Sequence, residues 1–141
     1  MDQVEKYKEK ILNLTEGLDI TFIPLIKDKA LLMGYLKRAK LFIFPSLFEA
    51  MSNMLLETAS MKCPIICSDI SANKSVFNVE EVSFFESNKS DSLAEVLLTS
   101  ISSYSDMLVK ADRAYLKLSS DYTWKQISEQ YSELYKNNMG Q

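Results

Sequence analysis

The segment Ser46-Leu47-Phe48-Glu49-Ala50-Met51-Ser52-Asn53-Met54-Leu55-Leu56-Glu57 concentrates the groups in this chain that could do chemistry. It leaves an unbroken apolar run, Leu41-Phe42-Ile43-Phe44, that Pro45-Ser46 ends. It then turns and opens a helix expected at about residues 53–61, with Ser52 as its cap. The first N–H groups of a helix have no intrahelical acceptor and sit at the positive end of its dipole. The N–H groups of about Ala50 to Met54 are therefore a ready site for a diphosphate. Glu49 falls in the turn and Glu57 about one turn into the helix. A carboxylate so placed can accept hydrogen bonds from two vicinal hydroxyls, as an acidic residue does for the ribose in dinucleotide sites. On spacing and topology alone, both glutamates read more readily as solvated loop and helix charges than as functional groups.

Composition removes several other chemistries. There is no histidine, so the commonest general base and every Ser-His-Asp or Cys-His arrangement are absent. Catalysis would have to use carboxylates, backbone N–H groups, Lys/Arg, or a partner chain. The three glycines, Gly17, Gly34 and Gly140, form no G-x-G-x-x-G or Walker pattern. Cys63 and Cys67 flank an apolar strand and are expected to be buried free thiols, since two thiols alone cannot build a four-ligand zinc site. No metal site is expected. A net charge of −3 lacks the footprint of a nucleic-acid binder. No apolar run approaches the ~20 residues of a membrane span, and no secretory signal leads the chain, so the cytoplasm is the expected location.

The elements that must position the segment can be read in order. Val4, Tyr7, Ile11 and Leu14 recur at helical spacing, predicting a helix over 2–15 that Asp2 and Glu5 start and Gly17 stops. Asp19–Pro24 predicts a short strand. Asp28 caps a helix carrying Leu31, Leu32, Tyr35, Leu36 and Ala39, with Lys37, Arg38 and Lys40 at its end. The run 41–44 and Pro64-Ile65-Ile66-Cys67-Ser68-Asp69 lack alternation, as parallel strands covered on both faces do. Val82–Phe85 predicts a final strand, and helices follow at 91–102, 105–118 and 123–137. Trp124, Ile127, Tyr131, Leu134 and Tyr135 share one face of the last helix; covering the chain's own core is the expected role, a partner-facing stripe the alternative. Strand, helix, strand, helix, strand with short joins means one α/β domain over 1–141 with a parallel sheet of about four strands and flanking helices.

Phe42-Ile43-Phe44-Pro45-Ser46-Leu47-Phe48-Glu49, then Leu55-Leu56-Glu57-Thr58-Ala59, then Pro64–Asp69 resembles the signature of retaining GT-B glycosyltransferases of the group 1 (family 4) kind. The likeness extends through Ile20–Lys40 upstream and through Phe84-Phe85, Ser92-Leu93-Ala94 and Tyr122-Thr123-Trp124 downstream. It implies a Rossmann-like, nucleotide-sugar-binding C-terminal half in which the first glutamate is implicated with the donor sugar and the second holds the nucleotide ribose. Carried over, Glu49 is the catalytic candidate, Glu57 the ribose ligand, and Ser46, Ala50, Met51, Ser52, Asn53 and Met54 line the donor site. The implied reaction is retaining sugar transfer from a nucleotide diphosphate to an acceptor hydroxyl, with helix dipole and cations rather than metal stabilising the departing phosphate.

The sequence departs from that pattern in three ways. Ala50 and Lys62 stand where the family has glycine; if Lys62 ends its helix in a left-handed conformation, the cost is about 1 kcal/mol. The four strands align with the third to sixth of the family's six, so its first two strands, its Arg/Lys phosphate clamp and its acceptor domain have no counterpart here. The resemblance therefore implies a truncated donor domain, inactive alone: a fragment, a truncated gene product, or one half of a split assembly, for which an acceptor-domain chain or a second copy is the candidate partner through an exposed sheet edge or the 123–137 helix. A non-catalytic interaction module is the alternative; a phospho-receiver lacks its acidic cluster.

Overall fold

A computed structural model describes residues 3–139, with side chains over 5–137. Along the chain run α1 (Gln3–Leu14), α2 (Lys29–Arg38), β1 (Phe42–Phe44), α3 (Asn53–Ser60), β2 (Ile65–Ser68), α4 (Ser71–Val76), β3 (Ser83–Phe85), α5 (Ser90–Ser102), α6 (Tyr104–Asp121) and α7 (Trp124–Met139). The strands form one parallel sheet in the order β1-β2-β3. Phe42 lies opposite Ile65, and Ile66 opposite Ser83.

β2 is central and every residue in it is buried. Its side chains alternate between two cores, as strand geometry requires. Ile65 and Cys67 pack with Leu55 and Ala59 of α3, Phe77, Val82, and Ala114 of α6. Ile66 points the other way, toward Phe85 and Met107, with Leu93, Val96 and Leu97 of α5 packed against them. A strand enclosed on both faces explains the apolar run without alternation. Burial pushes the thiol of Cys63 up to about 11 and that of Cys67 up to about 12.

A side-chain cap fixes the start of α2, whereas α3, α4, α5 and α6 begin without one. Asp28 accepts from the N–H groups of Ala30 (2.8 Å) and Leu31 (3.2 Å) and starts α2. Gly17 takes φ = 80° three residues past the end of α1. The Asp2 start of α1 lies outside the described residues. Lys62 adopts φ = 55° after α3, so the left-handed condition holds and its strain is present.

Three expectations need correction. Residues 19–24 form no strand, so the described sheet has three strands rather than about four. Ile20, Phe22, Ile23 and Leu25 stay exposed, because a strand persists only where a neighbour satisfies its amide groups, and none lies alongside. A six-residue helix, α4, fills the 71–76 stretch that the sequence left unassigned. The apolar face of α7 does not cover the core: Trp124 is 88% exposed, and Tyr131, Leu134 and Tyr135 are also exposed.

Candidate functional site

β1 and β2 end side by side, and their ends are tied together. The Ser68 hydroxyl donates to the Ser46 carbonyl. Asn73 of α4 donates from Nδ2 to the Ser68 carbonyl (2.9 Å) and hydroxyl (3.2 Å). Asp69 accepts from the Ser87 N–H (2.9 Å) and from Lys74 Nζ (3.1 Å). The Ser87 hydrogen bond foremost, then Lys74, holds the Asp69 carboxyl below its ordinary value. This network anchors the carboxyl ends of the strands, where open α/β sheets bind ligands.

The turn after β1 hangs from that anchor. The Ser46 hydroxyl donates to Glu49 Oε1 at 2.8 Å, which orients the carboxylate and leaves Oε2 for a ligand. Leu47, Phe48 and Glu49 face Ile70, Ser71 and Ala72 across a cavity of about 250 Å³. That is below the ~300–1,000 Å³ typical of whole small-molecule pockets. It has room for part of a nucleotide sugar.

The start of α3 departs from expectation in a way that matters. Ser52 occupies the cap position, but its side chain makes no capping hydrogen bond. The residue is 1% exposed, and its hydroxyl has no partner among the described residues. Leaving such a group unpaired costs roughly 1–3 kcal/mol. The Asn53 N–H turns back to the Met51 carbonyl (3.1 Å), so it is not open to a ligand as expected. The N–H groups of Met51, Ser52 and Met54 have no backbone acceptor among the described residues. Ala50 keeps a negative φ, so alanine in place of glycine brings no strain.

Glu57, in the last half of α3, does not line the Glu49 cavity. Its Oε1 is paired with the ammonium of Lys29, at the start of α2. Sequence reasoning missed Lys29, Ser68 as a tie and Asn73, since nothing local marks a pairing across 28 residues or a helix that reaches back to a strand end.

A family model described as glycosyl transferases group 1 matches residues 2–103. The chain belongs to that family. This group 1 glycosyl transferase chain is 30% identical, over 69 residues, to the N-acetylgalactosamine-N,N'-diacetylbacillosaminyl-diphospho-undecaprenol 4-alpha-N-acetylgalactosaminyltransferase of Campylobacter jejuni. The match spans 44% of this chain and 17% of that relative. Among solved structures, Anabaena HepE in complex with UDP-glucose superposes with a TM-score of 0.80 at 17% identity, over 95% of this chain and 36% of that one. The C-terminal domain of the group 1 protein LpcC from Francisella tularensis gives a TM-score of 0.72 at 22% identity, over 86% of this chain and 63% of that one. The transferase chain thus shares the α/β fold of GT-B glycosyltransferases and spans only part of the length of each of these relatives. No described helix is long and apolar enough to cross a membrane.

Proposed function

We propose that the chain is the donor-binding part of a retaining glycosyltransferase and holds a nucleotide-diphosphate sugar across the amino end of α3. The diphosphate sits on the N–H groups of Met51, Ser52 and Met54. Glu57 accepts the ribose hydroxyls. Glu49, oriented by Ser46, contacts the sugar in the cavity it lines. Helix dipole and backbone donors aimed at the departing phosphate stabilise its growing charge without calling on a metal ion. Transfer itself needs an acceptor-binding domain, so the 141 residues bind the donor without turning it over.

One observation carries this reading: a helix start whose amides at Met51, Ser52 and Met54 have no backbone acceptor among the described residues, after a turn whose Glu49 carboxylate is oriented by Ser46. An anion supplies the acceptors those amides lack. Likeness to the C-terminal domain of LpcC supports the donor half, and HepE, a fold neighbour, binds UDP-glucose. The family match leaves the interaction-module alternative without favour. Two buried free thiols suit the reducing cytoplasm.

Calorimetric titration with UDP, GDP and UDP-glucose tests it. Saturable binding is expected. Glu57→Ala removes hydrogen bonds from the ribose to a charged group, worth roughly 1.5–3 kcal/mol, and should weaken binding about tenfold or more. A nucleotide affinity that ignores this substitution would overturn the proposal.

A further inference from the structure

Lys29 is the first residue of α2, directly after the cap Asp28, and its ammonium meets Oε1 of Glu57. The pair joins two helices whose starts are separated by β1 and the Glu49 turn. Its side chains are 60% and 28% exposed, so it contributes little to stability, as exposed ion pairs do. Its consequence for the carboxylate is larger. One oxygen is committed to the ammonium, and Oε2 has no partner among the described residues. The pair also cancels the charge of Glu57 beside a helix start that would receive an anion. Without that cancellation, a bare carboxylate would repel a diphosphate across a short distance.

We propose that Lys29 is a positioning residue for nucleotide recognition: it holds Glu57 in the rotamer that meets the ribose and neutralises it against the diphosphate. The inference rests on the donor-binding reading above and adds a residue that reading does not need. Lys29 makes no contact with the nucleotide and acts only through Glu57. The effect of losing it should therefore vanish once Glu57 is gone, a non-additivity that a double-substitution cycle detects. A residue with a merely structural role would move stability and leave ribose discrimination alone.

The test is titration of the full chain with UDP and with 2',3'-dideoxy-UDP, for the unsubstituted protein, Lys29→Met, Lys29→Arg, Glu57→Gln and Lys29→Met/Glu57→Gln. Lys29→Met should weaken UDP binding about two- to fivefold, the range set by an exposed ion pair. It should also shrink the preference for UDP over the dideoxy analogue. Lys29→Arg keeps the charge and should restore most of both. The double variant should bind no more weakly than Glu57→Gln. Far-ultraviolet circular dichroism of each variant checks that folding is retained. Tighter or unchanged UDP binding in a folded Lys29→Met, with Glu57→Gln still impaired, would overturn this inference and leave the donor reading standing. Failure of the unsubstituted chain to bind UDP, GDP or UDP-glucose would overturn both.

Discussion

Lys62 and Asp69 show how single side chains hold the site's frame. Lys62 takes a left-handed φ of 55°, which disfavours any residue with a Cβ. Its ammonium pairs with Asp112 (2.9 Å) and lies 4.8 Å from the centre of the Tyr115 ring, both on α6. The Asp112 hydrogen bond raises the Lys62 pKa. The side chain thus offsets some of the backbone strain by clipping the end of α3 to α6. Lys62→Ala should lower the thermal midpoint, since strain stays and the clip goes. Lys62→Gly should lower it less or not at all; an equal loss in both would show that backbone strain at this position is negligible. Asp69 gives a pH dependence of known sign. Its folded pKa lies below the ordinary 3.8, so its stabilising contribution is complete above that value. It is lost as pH falls through the lower, folded value. Urea midpoints at neutral pH and at about pH 3 should therefore differ less in Asp69→Asn than in the unsubstituted chain.

Among the elements, α3 carries the proposed function and also the core beneath it. Met51 and Asn53 at its start are exposed, while Ser52, Leu55, Thr58 and Ala59 are buried, Leu55 and Ala59 against β2 and α6. Leu55 is fully buried, and Leu55→Ala should destabilise the chain by about 2–5 kcal/mol, measured by urea unfolding. A loss below about 1 kcal/mol would mean that α3 is not seated on the sheet as described. The short α4 works at the same scale. Its Asn73 is fully buried and fastens the end of β2, although the helix is only six residues long. Few residues at helical spacing leave little pattern to detect, which is why α4 escaped the sequence reading.

At the scale of the whole molecule, apolar surface is unevenly hidden. β2 is enclosed, while Phe22, Leu25, Leu31 and Tyr35, and Trp124, Tyr131, Leu134 and Tyr135 of α7, stay open to water. The α7 residues share one helix face, and a contiguous exposed apolar patch marks a place where proteins meet partners. Trp124 is the single tryptophan, so fluorescence reports on α7 directly. Its emission should be that of a water-exposed indole and be quenched readily by acrylamide. Strong protection from quenching in dilute solution would show that the α7 face is covered.

The residue pattern by itself determined the order of elements from α2 to α7 apart from α4, the doubly covered strand β2 and the turn bearing Ser46, Glu49 and Ser52, whereas β1, read as covered on both faces, is an edge strand with Ile43 exposed. These follow from local rules: caps, proline stops, and apolar runs whose length matches a buried strand. Tertiary structure alone decided that residues 19–24 stay out of the sheet, that Ser52 leaves its hydroxyl without an acceptor, and that Glu57 pairs with Lys29. A strand exists only beside another strand, and a hydroxyl or carboxylate is paired only by what folding brings near it. Both depend on residues distant in the chain, and no local pattern encodes their arrival.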